Sequence, residues 1–297
     1  MSTPQQVNTT QTGASIQHEL VGRDSEPGTR PVERARDSVI LHWPEYAIEA
    51  ALLGLFMISA CLFTVLFQLP GSPIRAAIPS AVVRRVSVGI AMGLTAIMLI
   101  YSPWGQRSGA HLNPSVTLTF LRLGKIRRVD AGFYLLFQFA GAAIGVIAAA
   151  AALGSYIGDP AVQYAATYPG ASGAELAAAG EFVISFLQMT IVLTISNHPR
   201  FHRLTGLIAG MMVAFYIVIE SPYSGMSMNP ARTFGSALPS GIWQGFLIYL
   251  LVPPAAMLAA AQIFVLRNGK SAVQCCKLDH TPARDCIFCG MKGAAHE

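Results

Sequence analysis

Charge is scarce in this sequence. Only 12% of its 297 residues are Asp, Glu, Lys or Arg, about half the share of an ordinary soluble domain. With 53% hydrophobic residues and a mean hydropathy of +0.49, the chain is built to be solvated by lipid. No basic run is interleaved with aromatics, so the net charge of +5 carries no nucleic-acid footprint. Residues 1–44 lack the apolar run of a signal peptide and read as a disordered cytoplasmic tail. Cysteine is sparse and uneven. Of five, Cys61 sits in an apolar run and Cys275, Cys276, Cys286 and Cys289 follow the last such run, which is no secreted disulfide framework.

What the chain has is apolar segments of membrane-spanning length. Crossing a ~30 Å hydrocarbon core takes roughly 20 residues of helix. Residues 47–69, 86–101, 131–153, 182–196, 204–219 and 241–266 approach this. Stretches 112–121 and 228–238 are apolar but too short to span. The expected class is an all-α membrane protein, with a membrane domain over 45–266 and a Cys/His-containing cytoplasmic tail over 267–297. Lysine and arginine orient it. Arg107, Arg122, Lys125, Arg127, Arg128, Arg200, Arg203, Arg267, Lys270 and Lys277 share the side of both termini, whereas loop 154–174 has neither residue type. Both termini are therefore expected in the cytoplasm, although Arg75, Arg84 and Arg85 run against the rule.

The chain also repeats itself. Ser108-Gly109-Ala110-His111-Leu112-Asn113-Pro114-Ser115 echoes Ser224-Gly225-Met226-Ser227-Met228-Asn229-Pro230-Ala231, and Gly89-x-x-x-Gly93 is echoed by Gly206-x-x-x-Gly210. Three spans per half place the halves in opposite orientations, with the working site at their interface. Asn is a good N-cap and Pro fits the first helical position, so Asn113-Pro114 and Asn229-Pro230 each open a half-helix. Irregular backbone before them is tolerable at membrane depth only where it lines a polar cavity. Two half-helices entering from opposite faces bring two positive N-termini together, which repels cations. Asn side-chain amides offer donors to a passing oxygen.

These two motifs, with Arg232 directly after the second, resemble the signature loops of the aquaporin (major intrinsic protein) family. The resemblance covers residues 45–266 and implies six transmembrane helices plus two re-entrant half-helices in an inverted repeat. It implies a passive pore for water and small uncharged solutes that excludes protons and ions, assembled as a homotetramer in the plasma membrane. Asn113, Pro114, Ser115, Asn229, Pro230 and Ala231 would form its centre. By counting from the motifs, Ile217, Met226, Arg232 and a second-span position near Met92 would form the selectivity filter. Water-selective members carry an aromatic and a histidine there. An apolar ring with one arginine implies a more permissive filter, reaching glycerol or neutral metalloid acids. Thr233-Phe234-Gly235-Ser236-Ala237 instead resembles the water group. Glu49 and Glu181 would hold the irregular loops, with Gln138, Gln188 and His111 in support, while Glu220 reads as a helix-end residue.

Two features remain. Cys276, His280, Cys286 and Cys289 have the donor types for a tetrahedral zinc site; reduced, unliganded or lipidated thiols fit the same spacing. No other cofactor is expected. A secondary transporter with broken helices is the alternative architecture for such a repeat. It would need a coupling carboxylate beyond Glu49 and Glu181. An enzyme would need a clustered nucleophile, base or metal, which His111 alone does not supply.

Overall fold

A computed structural model describes residues 31–280 and 286–291, with side chains from Val39 onward. Among the described residues every regular element is helical. Six helices are long and apolar enough to cross a membrane: Val39–Gln68, Ala81–Tyr101, Arg128–Gly158, Ala174–Ser196, His202–Ser224 and Phe246–Asn268. They are called here the first to sixth spans. Two short helices, Pro114–Arg122 and Pro230–Ser240, are the first and second half-helices.

Several boundaries differ from those read in the sequence. The helix containing the first span begins at Pro31 and runs through Pro44, so residues 31–44 are helical rather than part of a disordered tail. Residues 1–30 lie outside the described residues. The second span starts at Ala81, not 86, because Arg84 turns back to bond the carbonyls of Ile78 and Pro79 at 2.9 and 2.7 Å. The fourth starts at Ala174, two turns earlier than expected. Charged and small residues there hid helix that hydropathy alone does not report. The described residues after 267 fall in the same compact unit as the spans, Glu45–Glu297.

Glycine sets how closely the spans cross. Gly93 and Gly210 face each other across the second and fifth spans, and a Cβ on either would lie 2.7 Å from the other's carbonyl oxygen. In the first and third spans, a Cβ on Gly141 or Gly145 would overlap the backbone of Ala50 or Gly54. The small-residue run around Gly141 therefore packs within the subunit. Such close approach is how helices associate where lipid supplies no hydrophobic drive. Outward from these seams the surface is apolar, with Ile90, Leu94, Met98, Leu136, Ile144, Leu247 and Leu251 exposed.

The repeat places two irregular loops at the centre, each running into a half-helix. One face of the molecule carries Glu45, which accepts from Arg107 Nε at 2.9 Å, and Asp130, which accepts from Tyr46 at 2.5 Å. The C-terminal segment lies on this tail face. Gln68, Arg85 and the 161–168 loop mark the far face.

Candidate functional site

Each loop is wound around one buried carboxylate. Glu49 Oε1 accepts from Ser108 Oγ at 2.7 Å and from the His111 amide at 3.0 Å; its Oε2 accepts from the Leu112 amide at 2.7 Å and Gln138 Nε2 at 2.9 Å. Glu181 does the same for the second loop. Its Oε1 accepts from Ser224 Oγ and the Ser227 amide, and its Oε2 from the Met228 amide, all at 2.7 Å. Both carboxylates are fully buried. The backbone they hold is costly. Ala110, Leu112, Met226 and Met228 have φ between 53° and 55°, a left-handed conformation worth about 1–3 kcal/mol of strain each in residues other than glycine. Matched N–H donors gathered on a carboxylate offset that strain in both loops.

At the centre the two motifs interlock. Asn113 Nδ2 donates to the Met228 carbonyl at 2.8 Å, and Asn229 Nδ2 donates to the Leu112 carbonyl at 2.7 Å. Each asparagine's Oδ1 meanwhile caps its own half-helix, accepting from Ser115 N in the first and from Ala231 N and Arg232 N in the second. Pro114 and Pro230 occupy the first helical position, where no N–H is needed. One hydrogen of each side-chain amide is spent on the opposite loop. The other remains for the cavity that both residues line.

That cavity has a volume of about 610 Å³. It runs from Gln68 and Arg85 on the far face, past Arg232 and the two asparagines, to His111 and Leu278 on the tail face. Met92, Ile217, Met226 and Arg232, counted from the motifs, all line it. Arg232 Nη1 is buried with no hydrogen-bond partner among the described residues, a donor left for whatever occupies the cavity. Glu220 is buried, unlike an ordinary helix end, but does not line the cavity. Gln188 does line it and donates weakly to the Ala209 carbonyl at 3.4 Å. Among the described residues it makes no bond to the second loop comparable to that of Gln138 on Glu49; there Thr233, the counterpart of Thr117, bonds Ser227 Oγ at 2.5 Å and Thr167 Oγ1 at 2.7 Å.

His111 links the first loop to the C-terminal segment. Its Nδ1 pairs with Thr117 Oγ1 and its Nε2 with the Cys276 carbonyl, both at 3.0 Å. Cys275, His280, Cys286 and Cys289 bring their donor atoms within 4.8 Å of one another. The set expected from sequence is corrected at one position: Cys275, not Cys276, belongs to it. Cys276 is fully buried beside His111, whereas Cys275 Sγ lies 3.6 Å from Cys286 Sγ. The hydrogen bond from Cys275 and that from His280 hold the Cys286 thiol well below the ordinary thiol range, although burial opposes this.

The part that Tyr134 and Tyr249 play in holding the loops was not read from the sequence. Their hydroxyls donate to the Ser108 and Ser224 carbonyls at 2.7 and 2.6 Å. The available signal was spacing: the tyrosines follow their serines by 26 and 25 residues.

Known proteins agree with this architecture. An aquaporin NIP1-3 from Oryza sativa subsp. japonica is 38% identical over 180 residues, 60% of each chain. An aquaporin NIP1-1 from Arabidopsis thaliana is 35% identical over 190 residues, 62% of each. This chain thus spans about three fifths of the length of the curated relatives it matches. In fold it is similar to the X-ray structure of the aquaglyceroporin from Plasmodium falciparum, with a TM-score of 0.64 and 19% identity over 75% of this chain and 95% of that one. The family profile for "Major intrinsic protein" matches residues 48–264, and with its two interlocked half-helix loops the chain belongs to the major intrinsic protein family.

Proposed function

We propose that the protein is a passive pore for water and small uncharged solutes, with glycerol or a neutral metalloid acid within its range. The observation that carries this reading is the interlocked pair of asparagines on the wall of one continuous cavity. Each presents a donor at the point where two half-helix N-termini converge. A neutral oxygen is welcomed there, whereas a cation meets two positive dipole ends. Permeation of this kind uses no cofactor and no energy coupling. Glu49 and Glu181, whose oxygens are taken by loop donors, serve as supports for the loops.

Met92, Ile217, Met226 and Arg232 act as the selectivity filter in this reading. Water beside an apolar wall loses hydrogen bonds worth about 1–3 kcal/mol per unmet group, while a solute with its own carbon surface loses less. Three apolar side chains and one guanidinium therefore favour small amphipathic neutrals relative to a filter bearing a histidine. The relatives' names as aquaporins and the fold neighbour's as an aquaglyceroporin are in keeping with both solute classes. The basic residues of the tail face orient it to the cytoplasm, and the working unit is a homotetramer in the plasma membrane.

Stopped-flow light scattering on proteoliposomes tests the function directly, with sucrose, glycerol and boric acid gradients in turn. The expected result is water flux above empty liposomes together with flux of one or both neutral solutes, and no proton leak. Flux of water alone would remove the permissive filter, and flux of nothing would remove the pore.

A further inference from the structure

The C-terminal segment is threaded into the tail-face end of the cavity. Val273, Cys276, Lys277, Leu278 and Asp279 are all buried, although the sequence reads them as tail. Leu278 lines the cavity, and its amide donates to the Gly109 carbonyl at 3.1 Å. Two positions earlier, the Cys276 carbonyl meets His111 Nε2 at 3.0 Å. One position later, Asp279 Oδ2 accepts from Gln106 Nε2 at 2.9 Å. The Phe288 ring stacks on His111 with centroids 6.4 Å apart. Every one of these partners belongs to the first re-entrant loop or the turn leading into it.

On either side of Leu278 in the chain lie two members of the cluster of soft donors, Cys275 and His280. Cys275 Sγ lies 3.6 Å from Cys286 Sγ, and Cys289 Sγ lies 3.3 Å from His280 Nε2. A tetrahedral zinc site with Zn–S bonds of about 2.3 Å has sulfur–sulfur edges of about 3.8 Å. These two edges are close to what such a site requires, and all four donors lie within 4.8 Å of one another. Three thiols and one imidazole suit zinc, not magnesium or calcium, which take oxygen. Cys275 precedes Leu278 and His280 follows it, so one ion would bind the chain on both sides of the leucine and tie it to Cys286 and Cys289. The bound ion would remove the loop's freedom to swing out of the mouth.

We propose that Cys275, His280, Cys286 and Cys289 form a zinc site whose occupancy holds Leu278 in the tail-face mouth and closes the pore. The inference rests on the channel reading above, because closure has meaning only for a pore. The zinc site and the gate are nevertheless measured separately.

Zinc content of the purified full-length protein comes first, with zinc alone as the probe. One zinc per chain is expected, lost on chelation and reduced in Cys289→Ser and Cys275→Ser. Cys289 is exposed, so its replacement spares the packing even if the buried Cys275 does not tolerate change. Flux through proteoliposomes is then compared with zinc and with a membrane-permeant chelator. Chelation should raise wild-type flux severalfold and re-addition of zinc should lower it again. Cys289→Ser should flow at the chelated rate in either condition. Leu278→Ala should keep its zinc yet flow fast, since the ion then holds a chain with no plug. Absence of stoichiometric zinc in the wild type overturns the site. Zinc bound with unchanged flux overturns the gate. No flux in any protein, Leu278→Ala included, overturns the channel reading and the gate with it.

Discussion

Replacing Glu181 by glutamine tests how the second loop is held. The volume is kept and the charge removed. In the wild type three donors converge on the carboxylate, two on Oε1 and one on Oε2, each at 2.7 Å. A glutamine does best with its carbonyl oxygen on the Ser224 and Ser227 side, which turns its amine against the Met228 N–H. That leaves one buried N–H unpaired, at about 1–3 kcal/mol. The two surviving bonds fall from charge-assisted to neutral strength, about 1 kcal/mol each. Relief from burying a charge offsets part of this, giving a net loss of about 2–4 kcal/mol, a large fraction of a typical folded-state margin. Met228 then has less reason to keep its φ of 54°, and its carbonyl is the acceptor for Asn113 Nδ2. The variant should therefore unfold at lower temperature in mild detergent and also conduct less water when reconstituted. Glu175→Gln, an exposed change on the same helix, should alter neither. Wild-type unfolding and wild-type flux in Glu181→Gln would refute the idea that this carboxylate holds the loop.

Other variants probe the lumen and the seams. Arg232→Ala removes the fixed charge and partnerless donor of the cavity; protons and larger solutes should leak through a protein of normal stability, and unchanged selectivity would take Arg232 off the conducting path. Ile217→His should shift the ratio of water to glycerol flux towards water, and a constant ratio would mean that position 217 does not sort solutes. Gly145→Val drives a side chain into the backbone of Gly54 and should cost about 1–3 kcal/mol or more, read as a lower unfolding midpoint. Gly132→Ala, where nothing stands within 4 Å of the added carbon, should have no such effect.

Much of this architecture was legible because the chain states it twice. The paired Asn-Pro motifs, the Ser-Gly approach to each and the acids at matching places in the first and fourth spans have no common purpose in a soluble turn. Apolar length and charge placement then sufficed for the six spans. Their starts were misjudged where the signal is charge, as at Arg84, or small residues, as over 174–181. The tyrosine bonds to Ser108 and Ser224 were harder to see because a buried tyrosine is an ordinary core residue until its hydroxyl's partner is known. The exchange of Cys276 for Cys275 could not be read from spacing, since adjacent cysteines differ only in which way the backbone aims them. The docking of residues 273–280 was hidden for a related reason. It depends on single contacts with Gly109, His111 and Gln106, none of which leaves a periodic trace.

The reciprocal asparagine bonds have a consequence for the order of events during synthesis. The first half of the chain can satisfy Glu49 entirely from its own residues. Asn113 and the Leu112 carbonyl cannot be satisfied that way, since their partners are Met228 and Asn229. At about 5–20 residues per second, the 117 residues between Leu112 and Asn229 take the ribosome roughly 6–23 s. For that interval a half-built molecule carries an unpaired amide and carbonyl at membrane depth, where only water or a chaperoning helix can satisfy them. The two halves therefore become a single cooperative unit at the moment the second asparagine arrives, and the nascent protein is most exposed to misassembly and quality control just before it.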